Sequence, residues 1–171
     1  MKKYILPGFL LSVPSILSTL INNAFYEEIL FSGYMFFLGI IIFLCSFFIM
    51  LFLVKKIKKA DPVNFNFKKS FGHCIKIVGF WSLFNFIINY VYYLLNTELI
   101  KKIAKSALEF QKQRAISNNG TISAGELKNL ERIYQLQISP LYTASMGIIS
   151  VFLMGLLFSL IISAILKTRT E

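Results

Sequence analysis

Catalysis needs a nucleophile, a general acid–base group or a metal-holding cluster, and few residues of this chain could supply one. His73 is the only histidine, and it lies close to Lys76. Cys45 and Cys74 are the two cysteines, and neither stands in the Cys/His spacing that a metal site requires. No His-x-x-x-His pair occurs, and no Asp or Glu and no paired carboxylates fall within the long uncharged runs. A lone histidine in this setting reads as a packing or headgroup residue, and the cysteines read as small core residues. The patterned polar residues are of another kind. Gly8, Ser12, Ser15, Thr19 and Asn22 recur at steps of four, three, four and three. Ser82, Asn85, Asn89, Tyr92 and Asn96 recur at steps of three, four, three and four. Each set is one face of a helix, suited to hydrogen bonding and close packing. No catalytic, cofactor-binding or metal-ligating residue is expected, and the chain reads as a non-enzyme.

The elements that carry these faces are uncharged. Tyr4–Tyr26, Ile29–Val54, Ile77–Thr97 and Ile133–Leu166 hold 23, 26, 21 and 34 residues without a single Lys, Arg, Asp or Glu. About 20 apolar residues suffice to cross roughly 30 Å of hydrocarbon. The chain is 56% hydrophobic and 15% charged, too little charge to solvate a soluble surface. These features predict an all-α fold, an integral membrane bundle of four transmembrane helices. The spans are expected at about 4–26, 29–54, 74–97 and 141–166 of a single membrane domain covering 1–171. An αα-hairpin outside the membrane is expected over about 98–139.

The net charge of +10 is best read by side of the membrane. Glu27 and Glu28 are the only charges between the first two spans, whereas Lys55, Lys56, Lys58, Lys59, Lys68 and Lys69 lie between the second and third, with Lys76 at the mouth of the third. Lys2 and Lys3 precede the first span; Lys167 and Arg169 follow the fourth. The positive-inside rule therefore places both termini in the cytoplasm and the 98–139 hairpin outside. Anionic headgroups are the natural partners of the cytoplasmic lysines, and no nucleic-acid partner is expected. Met-Lys-Lys before an apolar run also resembles a signal peptide, but the region around Asn22 and Ala24 lacks a small-x-small cleavage pattern, so the first span is expected to be retained.

Within the spans, Pro7 falls in a first turn and Pro14 should kink the first helix. Gly33 and Gly39 are the expected close-approach points of the second. Asp61-Pro62 should break the chain. Phe65, Phe67 and Phe71, interleaved with Lys68 and Lys69, read as an interfacial stretch with its rings among the headgroups. The asparagine face should turn into the bundle and meet the seam of the first helix, because amides facing hydrocarbon are costly. Gly155, Ser159 and Ser163 form a doubled small-xxx-small face on the last helix. In the hairpin, Leu99, Ile103, Ala107 and Leu108 mark one face. Asn118-Asn119-Gly120 reads as a turn. Ser123 to Glu126 has capping-box spacing, opening a helix with Leu127, Leu130, Ile133 and Tyr134 inward.

Asn66-Phe-Lys-Lys-Ser-Phe-Gly72 leading into Ile77-Val-Gly79, together with Gly155-Leu-Leu-Phe-Ser-Leu-Ile-Ile-Ser-Ala-Ile-Leu-Lys167, resembles a bacterial four-helix membrane family catalogued as the domain of unknown function DUF4199. The resemblance implies the bacterial inner membrane and this span order, and it supplies no catalytic residues. The expected role is a non-enzymatic accessory or scaffold subunit of a membrane assembly, with a membrane-protein partner or a second copy as its neighbour. The alternative is a small-molecule or lipid conduit lined by Asn22, Asn85, Asn89 and Tyr92. In the accessory role, Gly8, Ser12, Ser15, Thr19, Gly155, Ser159 and Ser163 serve helix packing.

Overall fold

The computed structural model describes residues 2–25, 34–60 and 65–167, without the side chains at 2, 22, 34–36, 118 and 119. The described residues form six helices and no strands: α1 Lys2–Ala24, α2 Tyr34–Ala60, α3 Phe67–Leu95, α4 Thr97–Asn119, α5 Ala124–Gln137 and α6 Pro140–Leu166. Four of them are long and apolar enough to cross a membrane, over Lys3–Ile21, Phe37–Ala60, Phe67–Leu95 and Pro140–Leu166.

Local chemistry fixes the helix ends. The Asn66 side chain accepts from the Lys69 N–H at 2.8 Å and starts α3 seven residues ahead of the expected 74. Phe67–Phe71 are thus helical, the first turns of a 29-residue α3. Asn96 alone separates α3 from α4, and its N–H still donates to the Tyr92 carbonyl at 3.1 Å. The two helices therefore run almost end to end through one bend. Gly120, at φ 73°, closes α4 in the left-handed region that favours glycine. Ser123 and Glu126 form the expected capping box at the start of α5. The Ser123 backbone N–H and hydroxyl donate to the Glu126 carboxylate at 2.9 and 2.8 Å and hold it below the usual carboxylate range.

α3 is the central helix. Its largest interface is with α6, its next with α1, while α2 flanks α1 and α4 lies along α5. Small residues allow these approaches. Gly8 of α1 sits against the Phe80–Trp81 backbone of α3, and Gly155 of α6 sits against Val78. Ser12, Ser159 and Ser163 are fully buried. The Ser12 hydroxyl donates to the Phe9 carbonyl and that of Ser159 to the Gly155 carbonyl, both at 2.7 Å, so neither leaves a lone donor in the apolar interior. Below this level Leu11, Met50, Ile77, Trp81, Phe158 and Ile162 form a core with no exposed surface. At the lysine-rich end the Lys58 ammonium donates to the Leu166 carbonyl at 2.7 Å, capping the last turn of α6 from α2.

Several expectations need correction. Cys45 is exposed on the outer face of α2, not a core residue, whereas Cys74 is buried. Gly39 has nothing within 4 Å of where a Cβ would stand, so no helix approaches there; Gly33 lies outside the described residues. Phe65 is fully buried instead of resting among headgroups, because its ring stacks on His73 at 5.8 Å and lies 5.9 Å from the Lys58 ammonium. In α4 the buried positions are Ile100 and Ala104, one residue around the helix from the expected face. No residue of α5 is buried, so Leu127 and Ile133 are not inward. Among the described residues α5 packs chiefly on α4 and α6, and most of its residues are exposed. Pro7 and Pro14 both lie within the single helix α1. Asp61-Pro62 lies outside the described residues.

Candidate functional site

The polar faces meet in a crevice of about 240 Å³ in the half of the bundle nearer α4 and α5. α1 contributes Ser15, Ser18 and Thr19, α3 contributes Asn85, Asn89 and Tyr93, and α6 contributes Thr143, Gly147 and Ser150. Ile42 and Val151 complete the wall. Asn85 and Asn89 are both buried, and one turn of helix brings the Asn89 side-chain nitrogen to 2.6 Å from the Asn85 side-chain oxygen Oδ1, to which it donates. A buried amide pair is tolerable in an apolar bundle only while its hydrogen bonds are met, and pairing along one helix meets part of that demand. Gly147 makes room opposite. A Cβ there would stand 3.8 Å from the Asn85 oxygen.

The proposed seam residues do not all converge. Ser15, Thr19, Asn85 and Asn89 line the crevice together. Gly8 and Ser12 lie deeper, in the α1–α3 contact. Gly155, Ser159 and Ser163 are buried on the α6 face that meets α3, with the Ser163 hydroxyl 3.8 Å from the Cys74 sulfur. Tyr93, not Tyr92, faces the crevice, because the helix keeps a step of four from Asn89. The Asn22 side chain lies outside the described residues. Sequence reasoning passed over Thr143 and Gly147, although the step of four through Gly155, Ser159 and Ser163 extends back to both positions.

A second cavity of about 190 Å³ continues the crevice toward α4, sharing Tyr93 and Thr143 and adding Asn23, Ile100, Ala104 and Gln137. The Asn23 amide nitrogen is buried there without a hydrogen-bond partner among the described residues. In the other direction along α3 lies the apolar core. One turn before Asn85 stands Trp81, fully buried and stacked on Phe158 at 6.3 Å, with Leu11 beside them in the same core cluster. Such a crevice can hold water or a small polar group by hydrogen bonds, and the described residues offer no group of three His, Cys, Asp or Glu that could bind a metal.

His73 lies at the opposite, lysine-rich end. Its Nδ1 is 2.7 Å from the Tyr4 hydroxyl, which joins α1 to α3. The Phe65 ring stacks on the His73 imidazole, 5.8 Å between centres.

Replacing Asn89 with Leu should lower the thermal stability of the purified protein by about 1 kcal/mol, the usual net worth of one hydrogen bond, here the one between side chains one turn apart on α3. Thermal unfolding in detergent measures this, and an unchanged midpoint would remove the amide pair from the stabilising contacts.

A family model described as "Protein of unknown function (DUF4199)" matches residues 7–168. No curated protein and no solved structure matches the chain.

Proposed function

Since the chain belongs to the DUF4199 family, which brings no activity with it, we propose from its own geometry that it is a non-enzymatic accessory or scaffold subunit of a membrane assembly. The four long helices form the embedded part, in a bacterial inner membrane with both termini cytoplasmic, and α4 with α5 stands outside as a recognition element. The observation that carries this reading is α5. It is 14 residues long, has no buried residue, and exposes Leu127, Ile133 and Leu136 by 37, 40 and 42%. Ile133 and Leu136 are neighbours one turn apart, and apolar side chains left open on a polar helix outside the hydrocarbon are unfavourable in water and are stabilised by a partner chain that covers them. The partner is a second membrane protein whose extracytoplasmic surface receives this pair.

The test is co-purification of the full chain in mild detergent, followed by identification of the retained proteins. Ile133→Asp with Leu136→Asp should release the partner while leaving the melting midpoint of the subunit within about 0.5 kcal/mol, since exposed sites tolerate change. A wild-type chain that elutes alone, or a variant that keeps its partner, would refute the accessory role. A complex containing only this chain would make the partner a second copy.

Orientation has its own measurement. In a background with Cys45 and Cys74 replaced by Ala, Thr121→Cys should react with an impermeant thiol reagent added outside intact cells, and Lys59→Cys should not. The opposite pattern would invert the topology.

A second reading has specific support. The buried, unpartnered Asn23 nitrogen and the Asn85–Asn89 pair line connected cavities, as they would in a conduit for a small polar solute. The stacked Trp81–Phe158 pair, fully buried one turn beyond Asn85, weighs against it.

A further inference from the structure

We propose that the groove between the first turns of α1 and the last turns of α2 binds one anionic phospholipid, with the phosphate between Lys3 and Lys56 and an acyl chain along Leu6, Leu10, Phe52 and Leu53. The groove measures about 580 Å³, and Lys3, Lys56 and His73 share its wall with these apolar residues and with Pro7 and Ile57.

Its chemistry is graded along one direction. α1 enters from its charged end at Lys3 and descends through Leu6 to Leu10, while α2 descends from Lys56 to Phe52 in the opposite chain sense. Seven residues of helix cover about 10 Å, so ammonium groups at the mouth give way within that depth to an aliphatic and aromatic wall. Leu6 and Phe52 are 63 and 68% exposed, which opens the wall sideways to the acyl chains of a bilayer. A free phosphate or an acidic peptide would use only the lysines.

Among the described residues no carboxylate offsets the positive charge at the mouth: every one belongs to α4 or α5, and none pairs with Lys3, Lys56 or Lys76. The Lys3 and Lys76 ammonium groups instead stand 5.3 and 5.5 Å from the centre of the Tyr4 ring. Tyr4 is itself anchored by its hydroxyl to His73. Lys3, which lines the groove, is thereby held beside a fixed ring, a better phosphate ligand than a lysine free on a surface, which gives only diffuse attraction. The inference rests on the four apolar helices being membrane spans and is independent of the accessory role.

The experiment is native mass spectrometry of the full-length protein in mild detergent, titrated separately with phosphatidylglycerol and phosphatidylcholine. One phosphatidylglycerol per chain should bind more tightly than phosphatidylcholine. Lys3→Gln with Lys56→Gln should weaken phosphatidylglycerol about thirtyfold, roughly fivefold per lysine, and leave phosphatidylcholine unchanged. Unchanged phosphatidylcholine binding also reports that the variant is folded. Lys105→Gln with Lys128→Gln, the same charge change on α4 and α5, should have no effect. Equal binding of the two lipids, or equal weakening by the α4–α5 pair, would overturn the site. Displacement of phosphatidylglycerol by an equal concentration of glycerol phosphate would also overturn it, by making it a free-phosphate site. Partner retention by the Lys3/Lys56 variant, measured in the same preparations, keeps this result separate from that of the accessory role.

Discussion

Gly8→Ala is expected to destabilise the protein by about 3 kcal/mol, the upper end of what a single overpacked methyl costs. The added Cβ would stand 2.9 Å from both the Phe80 carbonyl carbon and the Trp81 nitrogen, and would also meet the Phe80 Cβ. Main-chain atoms in the middle of α3 cannot turn aside, so α1 and α3 must separate over their shared length. Gly155→Ala is expected to cost less, about 1–2 kcal/mol, because its Cβ meets Val78 side-chain atoms, the nearest at 2.5 Å, and a side chain can yield. Gly39→Ala meets nothing and should be neutral or stabilising by about 0.5–1 kcal/mol, the helix-propensity gain of alanine. Thermal or denaturant unfolding of the three variants in one detergent measures the order. If Gly8→Ala melts with Gly39→Ala, the α1–α3 contact described here is wrong.

The same three glycines mark what could be read in the sequence and what could not. Uncharged length located the four long helices, since a run without charge has one physical explanation in a chain this apolar. A small-residue face is equally legible, and Gly8 and Gly155 do serve close approach. Gly39 looks the same in sequence but faces outward, because whether a glycine is approached depends on helix rotation, and α2 is apolar almost all round. Rotation also explains Tyr93 in place of Tyr92 and Ile100 in place of Leu99. A step of three or of four from the preceding polar residue fits the pattern equally well until a neighbouring helix chooses between them. Phe65 escaped for a different reason. Its burial depends on stacking against His73 and on Lys58 reaching across to α6, contacts between segments that no local pattern encodes. The asparagine pair was legible as a polar face. Its opposing wall at Thr143 and Gly147 was hidden by a stripe read from Gly155 onward.

Trp81→Ala should have the largest effect of any single change, on stability and on access together. Trp81 is fully buried, and truncation of a buried large aromatic costs about 3–5 kcal/mol through lost transfer energy and the cavity left behind. Along α3 the indole stands one turn from Asn85, which lines the polar crevice, and two turns from Cys74, which is buried in the deeper core. Removing it should connect the two and let a small water-soluble thiol reagent reach Cys74. The measurement uses a Cys45→Ala background, well below the melting midpoint of each variant, with labelling at Cys74 followed by mass. Slow labelling that rises at least about tenfold in Trp81→Ala is the expected result, because a close-packed aromatic layer excludes even water from what lies beneath. Gly155→Ala, which loosens the α3–α6 contact without removing the indole, controls for general destabilisation. Rapid labelling of Cys74 in the protein with Trp81 intact would mean that the indole does not bar the path and would move the balance to the conduit. Liposomes then decide directly. Solute-specific flux through the protein with Trp81 in place, abolished by Asn85→Leu and by Asn89→Leu, would overturn the accessory reading, because a polar lining that controls passage is what packing alone does not produce.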